Sequence, residues 1–284
     1  MAYSYNNYYK DFEDTDFKSK LEYYNSLEGV TVDQRIGKEF DSTVSKAAYA
    51  ADKKHSYDKS IKKAKEDDTK HNMTQDLLKL YGDIRKAKKE RQNIFPWDFK
   101  KKKELAEKIS NLKKQFKQKN KQRHSIEKNT KDDQEKSDQY KQEIQEHKDH
   151  MKRIKENAEK QINLLNQIQA TSEVVKTLED KEPFKSDPNA QNALQEFKDI
   201  LKEAKVISYV PQEDKNKNLT SKLNELLKYV EIAKQQDIKT KVAEKEKACN
   251  DYINRKNELY NSKSKNKNQN TQENDSQNRD DGSR

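Results

Sequence analysis

From Leu105 to Val175 the chain alternates four- and three-residue steps that place Leu105, Ile109, Leu112, Phe116, Ile126, Tyr140, Ile144, Met151, Ile154, Ala158, Leu165, Ile168 and Val175 on one stripe. The phase holds over ten heptads. A repeat of 3.5 residues keeps apolar side chains on one line as a helix turns, so it marks a helix that pairs with another along a narrow seam. As one helix the segment would be about 105 Å long at 1.5 Å per residue. Polar residues take the seam positions at Lys119, Arg123, Thr130, Asp133, Ser137, His147, Gln161 and Ser172, where they weaken the contact and set its register. Between Lys119 and Ser137 only Ile126 is apolar, and EKNTKDDQEKSD is compatible with a loop that folds the segment into a hairpin. The retained phase favours a continuous helix with a weak middle.

Composition supports long solvated helices. Of the 284 residues, 39% are charged and 30% apolar, which is thin material for a compact core. Disorder would bring a high net charge and many breakers, yet the net charge is +10 and there are four glycines and four prolines. No Gly or Pro interrupts 97–182 or 212–281. Runs of Lys, Glu, Gln, Asp and Ala without breakers suit helix, since straight-chain residues lose little rotamer freedom there. Cys249 is the only cysteine, which excludes an intrachain disulfide and a thiolate metal cluster. The opening MAYSYNNYYKDFED has neither a basic nor an apolar signal region, and no run approaches eighteen apolar residues. The expectation is an intracellular (cytoplasmic) or virion-internal protein without a membrane span.

Five segments follow. Residues 1–29 form an aromatic-rich arm with Tyr3, Tyr5, Tyr8, Tyr9, Phe12, Phe17, Tyr23 and Tyr24, helical from Phe12 to Leu27. Residues 30–95 are an amphipathic helical segment: Thr31 and Gln34 have capping-box spacing, and Ile36, Phe40, Val44, Ala47 and Ala51 share a stripe that fades over 52–72 and returns at Met73, Leu77, Leu80 and Ile84. Residues 96–182 hold the heptad helix or helical hairpin. Residues 183–260 hold a short helix begun by Asp187 and Pro188, then a final amphipathic helix from Leu219 with a register slip before Ile238. Residues 261–284 contain no apolar side chain and read as a disordered polar tail.

The joint between the second and third segments is QNIFPWDFKKKK. Ile94, Phe95, Pro96, Trp97 and Phe99 read as an elbow: Pro96 disfavours helix at Phe95, Asp98 is placed to cap the next helix, and the apolar side chains would make a satellite core fixing the bend. Around it lies a basic band. Residues 85–131 carry 18 Lys and Arg against 5 Asp and Glu, so the rest of the chain is slightly acidic. Arg85, Lys86, Lys88, Lys89, Arg91, Lys100, Lys101, Lys102, Lys103, Lys113, Lys114, Lys117 and Arg123 are the candidate contacts to a polyanion such as nucleic acid. The bland reading is a solvated face in a Lys-biased protein, or one that pairs with the acidic stretch 132–146.

No catalytic constellation is visible. Four scattered glycines build no phosphate loop, and His147 and His150, three apart on a helix, lack further converging ligands. No cofactor is expected. The sequence therefore predicts an all-α, elongated, coiled-coil-rich protein that is not an enzyme. Its expected role is structural or in assembly, as a scaffold, spacer or virion or phage component, oligomeric with itself or with another helical protein. The alternative is a nucleic-acid-binding or packaging accessory that uses the band 85–131.

Overall fold

The computed structural model describes residues 5–71 and 73–277, excepting the side chains of residues 5, 67–71, 261 and 263–277. The all-α expectation holds. Among the described residues there are eight helices, α1 (Tyr5–Phe12), α2 (Thr15–Ser26), α3 (Gln34–His71), α4 (Met73–Gln92), α5 (Phe99–Val175), α6 (Pro188–Ala204), α7 (Glu213–Leu227) and α8 (Ile232–Gln277). Two-residue strands β1 (Thr31–Val32) and β2 (Val206–Ile207) complete them. The chain divides into two units, Met1–Asp11 with Ser45–His147, and Phe12–Val44 with Lys148–Arg284.

In the first unit the heptad stripe finds its partner inside the chain. The 77 residues of α5 run without a break through 119–137, so the polar middle is helix. Every seam position from Leu105 to His147 is buried or half-buried, while most other residues of that stretch are exposed. Opposite it lie α3 and α4, running antiparallel: Tyr57 stacks on Tyr140 with ring centroids 5.9 Å apart. Ser137 donates to Asp58 at 2.5 Å, Ser60 donates to Asp133 at 2.7 Å, and Lys119 is ion-paired to Asp76. As one index rises the other falls. Over 52–66 the stripe of α3 does not fade as expected, while the rest of the stretch to 72 lies outside the described side chains. It continues as Lys54, Tyr57, Ile61 and Ala64, all covered, and Leu77, Ile84 and Ala87 extend the contact on α4.

In the second unit α5 changes character. From Met151 onward the covered surface widens beyond the seam, and Ile162, Leu164, Asn166, Ala170 and Val174 are buried beside Ile154, Ala158, Leu165, Ile168 and Val175. One core cluster gathers this end of α5 with Phe184, with Ala190, Leu194, Phe197, Ile200 and Ala204 of α6, with Leu219, Leu223 and Leu226 of α7, and with Ile238 of α8. Each fully buried large side chain of this kind contributes about 1.5–3 kcal/mol. Asp187 caps α6 by accepting from Asn189 N at 2.8 Å, with Pro188 at the first helical position as the sequence indicates. Phe17, Leu21 and Tyr24 of α2 are also buried, so this part of the aromatic arm is core.

Two local expectations are corrected. Thr31 does not cap α3. It lies in β1, which pairs parallel with β2 (Thr31 with Val206, Val32 with Ile207), and Asp33 takes the capping role by accepting from Arg35 N at 2.9 Å. A β-branched pair, Thr31–Val32, favours extended backbone, and Asp is the better cap. Seam residue Gln161 clamps the end of β2, donating to Ser208 O at 2.8 Å and accepting from Ser208 N at 2.9 Å. The final helix is two helices, α7 and α8, and the register slip is the turn between them, where Tyr229 N and Val230 N bond back to Leu226 O and Leu227 O. The polar tail 261–284 falls mainly beyond the described side chains: the backbone of α8 is helical to Gln277, and 278–284 lie outside the described residues.

Candidate functional site: the aromatic and basic hairpin tip

The residues singled out between α4 and α5 form the turn of the antiparallel hairpin. Helix α4 stops where it must, because Pro96 lacks an N–H and its ring keeps Phe95 out of the helical region. Asn93 N still bonds to Lys89 O at 3.2 Å, and Asp98 N closes a turn onto Phe95 O at 3.2 Å. Asp98 then caps α5, its side chain accepting from Lys101 N at 3.1 Å and its carbonyl from Lys102 N at 3.1 Å. The expected cap is thus present.

The expected satellite core is not. Phe95, Trp97 and Phe99 are 67%, 71% and 76% exposed, and Ile94 is half-buried. A turn of six residues joining two antiparallel helices has no third element to cover its outer side. Phe95 and Trp97 cover part of each other instead, with centroids 4.9 Å apart and an interplanar angle of 18°, an offset stack that aromatic quadrupoles favour. Three exposed aromatics on five residues form an apolar patch of the kind associated with interaction sites.

Cations surround the patch. Lys89 and Arg91 close the last turn of α4, where the helix dipole favours positive charge. Lys100, Lys101, Lys102 and Lys103 open α5, where the dipole opposes it and no acidic residue sits in the first turn. Each lysine there forgoes about 0.3–1 kcal/mol relative to a carboxylate's benefit at such an end. Helix stability therefore does not explain this placement. Of the thirteen candidate polyanion contacts, Lys102 and Arg123 are half-buried and the other eleven exposed. Arg123 is held to Glu127 at 2.9 Å. Among the described residues the other twelve make no ion pair.

The remaining candidates are dispersed. His150 lies 3.5 Å from Glu39, and among the described residues no three His, Cys, Asp or Glu side chains converge on a common point. A cleft of about 570 Å³ in the second unit, lined by Tyr23, Tyr24, Leu165, Ile168, Lys176, Lys202 and Lys205, has no counterpart among the sequence expectations. At its edge burial raises the Glu173 carboxyl, but hydrogen bonds from Lys245 and Lys241 outweigh this and leave it below its ordinary value. The cleft's residues come from α2, α5, α6 and α8 and from positions just past their ends, and no local pattern links them.

Fold and tip together define an all-α protein whose heptad helix is partnered within its own chain and whose hairpin turn holds out aromatic and basic side chains. No protein-family model, no curated protein and no solved structure matches this chain.

Proposed function

We propose that this is a non-enzymatic structural or assembly protein, a scaffold or spacer, whose contact surface is the tip of the α4–α5 hairpin. The observation that carries this reading is the exposure of Phe95, Trp97 and Phe99 at 67–76% while the neighbouring seam is closed by α3 and α4. The seam of the first unit is thereby occupied, so association falls to the surface left uncovered. Sedimentation velocity over a range of concentrations tests this. Wild-type protein is expected to form larger species, alone or with its partner, and a Phe95→Ser, Trp97→Ser, Phe99→Ser variant is expected to lose them while keeping its helical circular dichroism. Unchanged assembly in that variant refutes the reading.

The unpaired cations favour a second reading, a nucleic-acid-binding or packaging accessory. A strand bound along residues 85–131 would release counterions, so its affinity would fall with log[salt] at a slope of about −0.7 per phosphate contacted. Replacing Lys100, Lys101, Lys102 and Lys103 by Gln would flatten that slope. Binding that is indifferent to salt excludes it.

A further inference from the structure

We propose that the hairpin tip is an interfacial anchor for an anionic lipid surface, with Phe95, Trp97 and Phe99 seated at headgroup level and the flanking lysines against the lipid phosphates and carboxylates. This rests on the reading of the tip as the contact surface and names what it contacts. The distribution of charge decides the partner. Consecutive residues on a helix are about 100° apart, so Lys100, Lys101, Lys102 and Lys103 encircle the first turn of α5. Lys86, Lys88, Lys89 and Arg91 are likewise spread around the end of α4. A nucleic-acid strand lying along the hairpin would be met by one face of each helix. A plane meeting the hairpin end-on is met by a ring, with an apolar apex at its centre.

The dimensions agree. Four residues occupy about 6 Å of helix axis, less than the screening length of about 8 Å at physiological ionic strength, so all four charges feel one charged plane. Aromatic side chains, Trp above all, are favoured at the membrane interface, and lysines reach from such a depth back to the headgroups. Among the described residues no helix is long and apolar enough to cross a bilayer, so the attachment is peripheral. Apolar contact and basic charge are the two signals that make peripheral binding stable.

Trp97 is the only tryptophan in the chain, so its emission reports on the tip alone. Full-length protein is mixed with vesicles of phosphatidylcholine, or of phosphatidylcholine with phosphatidylserine, and followed by Trp97 emission and by co-sedimentation. The proposal expects a shift to shorter wavelength and sedimentation with the anionic vesicles, weakened by salt. Changing the four lysines to Gln should cost about several hundredfold in partitioning, since each is worth roughly fivefold near an anionic surface. Phe95→Ser with Phe99→Ser should abolish the spectral shift with helix content unchanged. Equal binding to neutral vesicles, or no shift with either, overturns the proposal, as does quenching by a single-stranded oligonucleotide where vesicles have no effect. If vesicles do nothing but the tip variants still alter assembly in sedimentation, the lipid assignment falls and the contact-surface reading stands. If they alter neither, both fall.

Discussion

Replacing Asn166 by Leu should destabilise the second unit by about 1–3 kcal/mol, and replacing Tyr24 by Phe in the same protein should return most of it. Asn166 on α5 is 1% exposed and Tyr24 on α2 is 2% exposed. The Asn166 amide donates to the Tyr24 hydroxyl at 2.8 Å. Burial, only partly offset by that bond, raises the Tyr24 phenol to about 12, consistent with a hydroxyl out of reach of water. Either single change strands one buried polar group, and the penalty is that group's desolvation. Removing both leaves apolar side chains of similar volume, a change that is near neutral. The double-mutant cycle should therefore show a coupling of about 1–3 kcal/mol. Hydrogen exchange of residues 12–44, read by mass spectrometry, isolates this unit, and each 1.4 kcal/mol appears as about a tenfold change in exchange through opening. A double variant that exchanges as fast as the two single effects added together would refute the reasoning, because packing rather than mutual hydrogen bonding would then hold the pair.

Three further outcomes follow from the same structure. Phe197→Ala, at a side chain 1% exposed in the α5–α6–α7 core, should cost about 3–5 kcal/mol in urea unfolding of the second unit. Asp33 is lowered to about 2 by the hydrogen bonds of the Arg35 side chain and backbone, so its contribution is complete above about pH 4 and lost as pH falls towards 2. Asp33→Asn should remove that part of the acid transition, read as a smaller stability difference between pH 4 and pH 2 than in wild type. Cys249 is buried, and burial raises its thiol despite nearby Lys20, so alkylation of the native protein at neutral pH should be slow and should accelerate with local opening of α8.

The sequence speaks clearly where one element states its own geometry. The stripe from Leu105 to Val175 needed no partner to be recognised, and Asp98 and Asp187–Pro188 fixed two helix starts through purely local hydrogen bonding. What it could not state was where separate elements meet. The α3 stripe was hidden because Lys54, Tyr57, Ile61 and Ala64 are diluted by charged neighbours, although their steps of three, four and three match the spacing of their partners on α5. Thr31–Val32 is a strand only because Val206–Ile207, far along the chain, lies beside it. The tip was misread for a related reason. Four apolar residues in sequence suggest a core, but burial needs a covering surface, and a helical hairpin turn has none.

The polar middle of the seam follows from the antiparallel pairing. Apolar heptads alone permit two helices to slip past each other by seven residues at little cost, since one leucine replaces another. At the observed register Ser137 meets Asp58, Asp133 meets Ser60 and Tyr140 stacks on Tyr57. Slipped one heptad in one direction, Ser137 would face Lys65 and Asp133 would face Asp67, a like-charge pair. Slipped the other way, Asp133 would meet Lys53, but Ser137 would face the Ala51 side chain with no acceptor and Tyr140 would lose its stack to Ala50. Both alternatives forfeit the Tyr57–Tyr140 stack and the bond from the buried Ser137 hydroxyl to Asp58, and a buried hydroxyl left without that acceptor costs more than an apolar residue would have contributed. The stretch that looked like a loop within one helix therefore specifies how two helices align, and that alignment places the α4–α5 turn, with Phe95, Trp97 and Phe99, at the end of the hairpin.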